Sequence, residues 1–212
     1  MAGPATMRQF VSALAELGEV VEVDREVDWD REMGAIARLC YETGSPAPLF
    51  TNVRGNHRAF RAIGAPMGAS RRLGTPLVRL ALALGLDPTA TAREIIDALL
   101  AARSRRPVEP IVVDSGPCKQ NVRLGDDVDL TELPIPHLHE GDGGRYLNTL
   151  GMIVARTPDG KWTSWSVARI MLLDEKRGCG AVAPFQHSGR VHNAWREIGE
   201  DIGTDMGDLL ES

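Results

Sequence analysis

The stretch that decides the fold reads Trp162-Thr163-Ser164-Trp165-Ser166-Val167-Ala168-Arg169. Aromatic, β-branched and small hydroxyl residues in one short run predict a β-strand. Alternate residues of a strand share a face, so we expect Val167 and Arg169 on one face and Ser166 and Ala168 on the other. An arginine in such a strand is either a sheet-edge residue or a buried anion receptor. The pattern alone favours the edge, because unpaired charges avoid the interior.

Two further β-like runs flank this strand, at residues 147–156 and 179–185. The turn residues Pro158-Asp159-Gly160 predict that the first run and residues 162–173 form a hairpin. A helix is expected from about residue 191 to 198. The second half of the chain is therefore predicted to be a mainly antiparallel sheet with the 162–173 and 179–186 strands adjacent.

One histidine stands directly after the last of these runs, in the pair Gln186-His187. His187 is either a metal ligand through a neutral ring nitrogen or a hydrogen-bonded surface residue. The surface position is the more common one for a lone histidine at a strand end. The sequence pattern leaves both interpretations open.

The first hundred residues mix helices with short strands. Capping boxes are predicted at Thr6–Gln9 and Thr91–Glu94, and the amphipathic pattern of residues 91–103 is the clearest helix signal. Further predicted elements are strands at 20–23, 48–52 and 58–63, a helix capped by Asp28 or Asp30, and a helix at 76–84. We expect the apolar helix faces to build core. The chain is therefore predicted to be α+β, with a soft boundary near residues 106–118.

Composition excludes several classes of protein. The formal net charge is −5, and the last sixteen residues hold six acidic side chains, so the remaining body is near neutral and offers no electrostatic case for nucleic acid. The three cysteines, Cys40, Cys118 and Cys179, are too widely spaced for a disulfide framework or a CxxC zinc site. No apolar run is long enough to span a bilayer, and no signal peptide is legible at Met1–Pro4. We expect a cytoplasmic protein without membrane or nucleic-acid partners.

Several motifs follow one another in the second half of the chain: Leu133-Pro134-Ile135-Pro136, Gly144–Thr149, Gly151-Met152, Pro158–Gly160, Trp165–Arg169, Gln186-His187 and Ala194–Gly199. This collinear series resembles the UbiD-like family, carboxy-lyases that decarboxylate unsaturated and aromatic acids with prenylated FMN. The resemblance implies three regions. Residues 1–115 would form an N-terminal α/β region, residues 116–200 an antiparallel split-barrel flavin-binding domain, and residues 201–212 an acidic tail.

The resemblance also implies roles for the matched positions. The prenylated-FMN site would be lined by Ser164, Trp165, Ser166, Val167, Ala168, Arg169, Gln186 and His187. Arg169 matches the arginine beside the substrate carboxylate and is the expected catalytic residue. His187 and Ser164 match ligands of a divalent metal, commonly manganese, although the family normally has Asn where this chain has Ser164. Trp165 matches a position whose backbone carbonyl helps to hold a potassium ion.

The implied function is non-oxidative decarboxylation of an α,β-unsaturated or aromatic carboxylic acid. A flavin prenyltransferase would supply the cofactor, and a homo-oligomer is compatible with the resemblance. The family's metal-binding and acid/base glutamates lie beyond the matched segment. This chain is therefore expected to be a truncated form that is inactive alone. The alternatives are a non-catalytic flavin- or partner-binding protein and a subunit completed by a second chain.

Overall fold

The computed structural model describes residues 3–71, 75–106, 108, 111–147, 149, 151–180 and 187–201. The chain divides into two compact units between Gly141 and Asp142. The helices are α1 (Met7–Glu16), α2 (Glu32–Thr43), α3 (Val78–Ala83), α4 (Ala92–Arg103) and α5 (His187–Asp201). The strands are β1 (Val20–Val23), β2 (Ala47–Phe50), β3 (Ala62–Ile63), β4 (Tyr146–Leu147), β5 (Met152–Arg156), β6 (Thr163–Val167), β7 (Ile170–Leu172) and β8 (Gly178–Gly180). The predicted α+β class is confirmed.

The first unit is built on a three-stranded sheet in the order β1-β2-β3. β1 and β2 are parallel, which requires a crossover connection, and α2 supplies it. β2 and β3 are antiparallel. The central strand β2 is buried along its whole length. Beside it, Val27, Met33, Phe50 and Val53 form a buried hydrophobic cluster.

A buried ion pair also lies within the first unit. Arg79 Nε and Glu19 Oε2 are 2.9 Å apart, and both side chains are almost fully excluded from solvent. Ser70 Oγ donates to the other Glu19 oxygen at 2.7 Å, and the Arg79 guanidinium also donates to the carbonyls of Ala65 and Ser45. Because each charge has several hydrogen-bond partners, the pair is compatible with the interior.

The segment before residue 141 packs closely against α2. The His137 N–H donates to the Trp29 carbonyl at 3.0 Å, and the His137 ring lies 2.8 Å from the Asp30 carboxylate. A Cβ atom on Gly34 would lie only 2.2 Å from the Leu138 carbonyl oxygen. Glycine is therefore required at this position of α2, because any side chain would separate the helix from this segment.

Helix α2 begins differently from the prediction. Neither Asp28 nor Asp30 caps it: the N-cap is Arg31, whose φ of 67° is left-handed and whose side chain makes no capping bond. Glu32 organises this end instead, because its carboxylate accepts from the Asp28 N–H at 2.8 Å and from Arg25. These two hydrogen bonds lower the pKa of Glu32.

Other local predictions of the first unit have mixed outcomes. The capping box at Thr91–Glu94 is confirmed. At α1, Gln9 donates its N–H to Thr6, but the Gln9 side chain accepts from Ala5 rather than completing the box with Thr6. The strand predicted at 58–63 is shorter than expected, because only Ala62–Ile63 (β3) are in a strand. The apolar face of α4 buries only Ile95 and exposes Ile96, Leu99 and Leu100, so the expectation that this face builds core is wrong.

The second unit contains two small antiparallel sheets, one of strand order β4-β7-β8 and one formed by β5 and β6. The predicted hairpin at Pro158-Asp159-Gly160 is confirmed, with Gly160 at φ 69° in the turn. The predicted adjacency of the 162–173 and 179–186 strands is confirmed where β7 pairs with β8, while residues 181–186 lie outside the described residues. Helix α5 extends beyond the predicted 191–198 at both ends.

The predicted regions 1–115 and 116–200 remain predictions, and the tail at 201–212 lies outside the described residues except for the backbone of Asp201. Within the described ranges, no helix is both long and apolar enough to cross a membrane.

Candidate functional site

The two faces of β6 differ in burial. Ser164 and Ser166 are 2% and 7% exposed, whereas Trp165 and Val167 are 61% and 75% exposed. The Ser164 and Ser166 hydroxyl oxygens lie 3.0 Å apart, within hydrogen-bond distance. The predicted alternation of faces therefore holds within the strand, and the serines occupy the buried face.

Helix α5 packs against both strands of the β5–β6 hairpin. Trp195 on this helix donates its indole N–H to the Arg156 carbonyl at the end of β5, at 2.9 Å. The Arg190 guanidinium lies 5.1 Å from the centre of the Trp162 ring, which is a cation–π contact. Val191 is buried. Because the opposite face of the hairpin is exposed, α5 must cover the face that carries the two serines.

The exposed face of the hairpin is apolar. The register pairs Met152 with Val167 and Val154 with Trp165, and each of these four side chains is at least half exposed. We call these four residues the apolar strip. Contiguous exposed apolar surface of this kind is typical of sites that bind a ligand or further protein.

Arg169 lies between β6 and β7 and is exposed, in agreement with the expected sheet-edge position. Its guanidinium carbon is 5.0 Å from the centre of the Tyr146 ring. Tyr146 pairs with Met171 across β4 and β7, so Arg169 is its diagonal cross-strand neighbour. Among the described residues, no carboxylate lies within ion-pair distance of Arg169, so its charge is available to an anion.

His187 is the first residue of α5 and has a left-handed φ of 44°. Its side chain is exposed. Gln186, predicted beside it in the cofactor site, lies outside the described residues. The expectation that Arg169 and His187 face one cavity stays a prediction.

The predicted metal ligands supply only part of a divalent-cation site. Ser164 lies on the face that α5 covers, and its hydroxyl is paired with Ser166. Within the part of the chain that the structure describes, no group of three or more His, Cys, Asp or Glu side chains could hold a metal ion. Of the residues predicted to bind a metal, only His187, through its exposed imidazole, has a side chain that binds divalent metals strongly.

Sequence reasoning missed Tyr146 as the partner of Arg169. The only signal was the position of Tyr146 within the quoted motif at 144–149. The pairing of β4 with β7 that brings the two residues together joins segments more than twenty residues apart, and no local pattern reports it.

The chain is similar to known proteins along most of its length. The N-terminal domain model of the 3-octaprenyl-4-hydroxybenzoate carboxy-lyase family matches residues 11–99, and the Rift-related domain model of the same family matches residues 111–206. Pyrrole-2-carboxylic acid decarboxylase of Pseudomonas aeruginosa is 45% identical over 193 residues, which are 91% of this chain and 39% of that protein. Ferulic acid decarboxylase 1 of Saccharomyces cerevisiae is 41% identical over 196 residues, with the same two coverages.

A solved structure has the same fold. An evolved dimeric form of the UbiD-class enzyme HmfF from Pelotomaculum thermopropionicum, in complex with prFMN, superposes with a TM-score of 0.75 at 25% identity. The match covers 92% of this chain and 42% of that one. The chain thus spans about two fifths of the length of these relatives. Two domain models of one family, matched in order, together cover most of the chain, and the protein belongs to the UbiD family of carboxy-lyases.

Proposed function

We propose that this chain forms the cofactor-binding part of a prenylated-FMN-dependent decarboxylase that acts on an α,β-unsaturated or aromatic carboxylic acid. The observation that carries the proposal is Arg169, an exposed guanidinium held over the Tyr146 ring with no described carboxylate as its partner. The relatives that share over two fifths of its sequence are named as decarboxylases of pyrrole-2-carboxylic and ferulic acid.

Arg169 would bind the substrate carboxylate. A guanidinium presents two parallel N–H donors to a carboxylate and stays charged at every working pH. The Tyr146 ring limits the orientations of this side chain, because the cation–π contact favours the guanidinium over the ring face. The strand pairing of β4 with β7 therefore supports a positioned anion receptor.

The residues around Arg169 fit a flavin-type cofactor. A large planar ring needs apolar surface, and the apolar strip offers Trp165 and Val167 two to four residues before Arg169. The bound prenylated FMN would supply an electron sink for loss of carbon dioxide. The chain's own contribution is to bind the acid through Arg169, to exclude water with the apolar strip, and to hold β6 in place through the α5 contact.

The finer assignments are also proposals. His187 would be the ligand that this chain offers to a divalent cation, manganese by the resemblance, and the Trp165 carbonyl would be its ligand for a potassium ion. Ser164 would need to turn from the face covered by α5 to reach a metal. A flavin prenyltransferase as cofactor supplier, a cytoplasmic location and a homo-oligomer complete the proposal.

The first experiment tests cofactor binding. The chain is co-expressed with a flavin prenyltransferase and purified, and its flavin absorbance is recorded. We expect the 212 residues to retain flavin. They should release no carbon dioxide from trans-cinnamate, ferulate or pyrrole-2-carboxylate, because no described carboxylate lies within ion-pair distance of Arg169 to act as the general acid, a contribution of ~10²–10⁴-fold.

The second experiment tests Arg169 in a fusion that adds the C-terminal part of the Pseudomonas relative. The fusion should decarboxylate at least one acid of the panel, and Arg169→Ala should lower kcat/KM by about 30-fold or more. Arg177→Ala, which removes a surface arginine paired with Asp174, is the matched control. Retained flavin without turnover in the fusion would favour the non-catalytic flavin-binding alternative, and no flavin in either protein would contradict the proposal.

A further inference from the structure

A second candidate site lies in the first unit and contains none of the residues proposed for decarboxylation. A cavity of about 510 Å³ opens between one side of α1 and the β2–β3 strands. Its lining includes the apolar residues Met7, Val11, Leu49, Phe60 and Ile63 and the two arginines Arg8 and Arg61. Its volume lies within the range of about 300–1,000 Å³ that is typical of small-molecule sites.

The floor of the cavity is apolar because of strand pairing and helix spacing. Leu49 and Ile63 are direct partners in the β2–β3 ladder, so their side chains lie on one face of the sheet. Met7 and Val11 are four residues apart on α1 and lie on one side of the helix. Phe60 adds an aromatic ring that is 37% exposed. These side chains offer a continuous apolar surface to a small organic group.

The charged groups of the lining are both cationic. Arg8 stands next to Met7 on α1, and Arg61 lies two residues before Ile63 on the side of the strand that faces the cavity. Both are exposed, and among the described residues neither has a carboxylate within ion-pair distance. No acidic residue lines the cavity. The lining thus combines an apolar floor with two guanidinium groups that lack a described counter-ion.

We infer that this cavity binds a small amphipathic carboxylate, an organic acid whose aromatic or branched body lies on Leu49, Ile63 and Phe60 and whose carboxylate meets Arg8 and Arg61. Guanidinium groups match a carboxylate in both charge and geometry. The site lies within the first unit and does not depend on the flavin or on Arg169. It would give the protein a second carboxylate-binding position, formed by residues other than those proposed for decarboxylation.

The test uses the whole chain labelled with ¹³C at its methionine methyl groups. The probe is 3-phenylpropionate, a saturated acid that carries no alkene for the proposed reaction. We expect a saturable shift of the Met7 methyl resonance, assigned with Met7→Leu, and the Met152 and Met171 resonances report separately on binding of the acid in the second unit. Arg8→Gln and Arg61→Gln should each raise the Kd by about tenfold, the loss of one charge-assisted hydrogen bond.

Three controls separate the outcomes. Arg58→Gln removes an exposed arginine outside the lining and should leave the Kd unchanged. The buried Met33 methyl reports whether each variant is folded, and neutral 3-phenylpropanol tests the charge requirement on the unmodified chain. Equal affinity for the alcohol, or no saturable Met7 shift, would overturn the inference. A shift confined to Met152 and Met171 would also overturn it while supporting carboxylate binding in the second unit.

Discussion

The two units of the molecule cover their strands to different extents. In the first unit, β2 is buried along its whole length, and a buried ion pair and a hydrophobic cluster lie beside the sheet. In the second unit, β6 buries two serines and exposes Trp165 and Val167, and β8 is exposed throughout. Val191 is the only buried hydrophobic residue among those described there.

The difference separates a unit with a buried central strand and core from a unit whose strands are largely exposed. The first unit gains its stability from apolar area removed from water, at roughly 25 cal/mol per Å². The second unit leaves much of its apolar strand surface in water, where it contributes no such stabilisation. That surface is available for contact with a ligand or with further protein.

The largest expected effect comes from breaking the buried ion pair of the first unit. Arg79→Ala leaves the Glu19 carboxylate buried without its cation and should lower the free energy of unfolding by about 3–5 kcal/mol. Urea denaturation followed by circular dichroism measures it. Arg38→Ala, which removes an exposed ion pair with Glu42, is the control and should cost about 0.5 kcal/mol or less. If both variants lose the same free energy of unfolding, the ion pair of Arg79 and Glu19 does not stabilise the first unit more than an exposed pair does.

The next effect concerns the close approach of α2 to residue 138. Gly34→Ala improves helix propensity but places a Cβ atom 2.2 Å from the Leu138 carbonyl oxygen, so it should destabilise the first unit by about 1–3 kcal/mol. Gly116→Ala is the control, because its nearest neighbour would be the Cys118 sulfur at 3.9 Å. A more stable Gly34→Ala variant would contradict the packing described for this segment.

A smaller effect is expected in the second unit. Trp195→Phe keeps an aromatic ring on α5 but removes the hydrogen bond to the Arg156 carbonyl, worth about 0.5–1.5 kcal/mol. Hydrogen exchange of the α5 and β5–β6 amides should quicken, while exchange in β2 stays unchanged. Faster exchange in both units would show that the stabilities of the two units are coupled, and it would contradict the expectation that this hydrogen bond stabilises only the second unit.

The smallest effect is a pH dependence at the start of α4. Hydrogen bonds from the Thr91 N–H and hydroxyl lower the pKa of Glu94. A carboxyl whose pKa is lower in the folded state contributes stability above its unfolded pKa and loses that contribution as the pH falls through the folded one. Amide exchange at Thr91 and Glu94 should therefore quicken in acid, below the ordinary pKa range of glutamate. Glu94→Gln should remove this dependence, and persistence of the dependence in that variant would contradict the assignment to Glu94.

Much of the fold is predictable because its signals are local. The Thr91–Glu94 capping box and the Pro158–Gly160 turn each lie within a few residues, so α4 and the β5–β6 hairpin follow from sequence alone. The start of α2 does not. Two aspartates precede α2 and predict an aspartate cap. Instead, the Glu32 carboxylate accepts hydrogen bonds from both the Asp28 N–H and Arg25.

The sequence by itself determined the α+β class, most elements and the family, and it named Arg169 as a candidate site residue. Only the tertiary structure decided which partners meet across long separations: Glu19 with Arg79, Gly34 with Leu138, and Arg169 with Tyr146. It also decided the covered face of β6. A period of two residues shows that Ser164 and Trp165 face opposite sides, but it carries no information on which side is covered. Hydrophobicity favours burial of Trp165, and yet α5 packs over the serines, because the position of a helix on a sheet depends on contacts that no single strand contains.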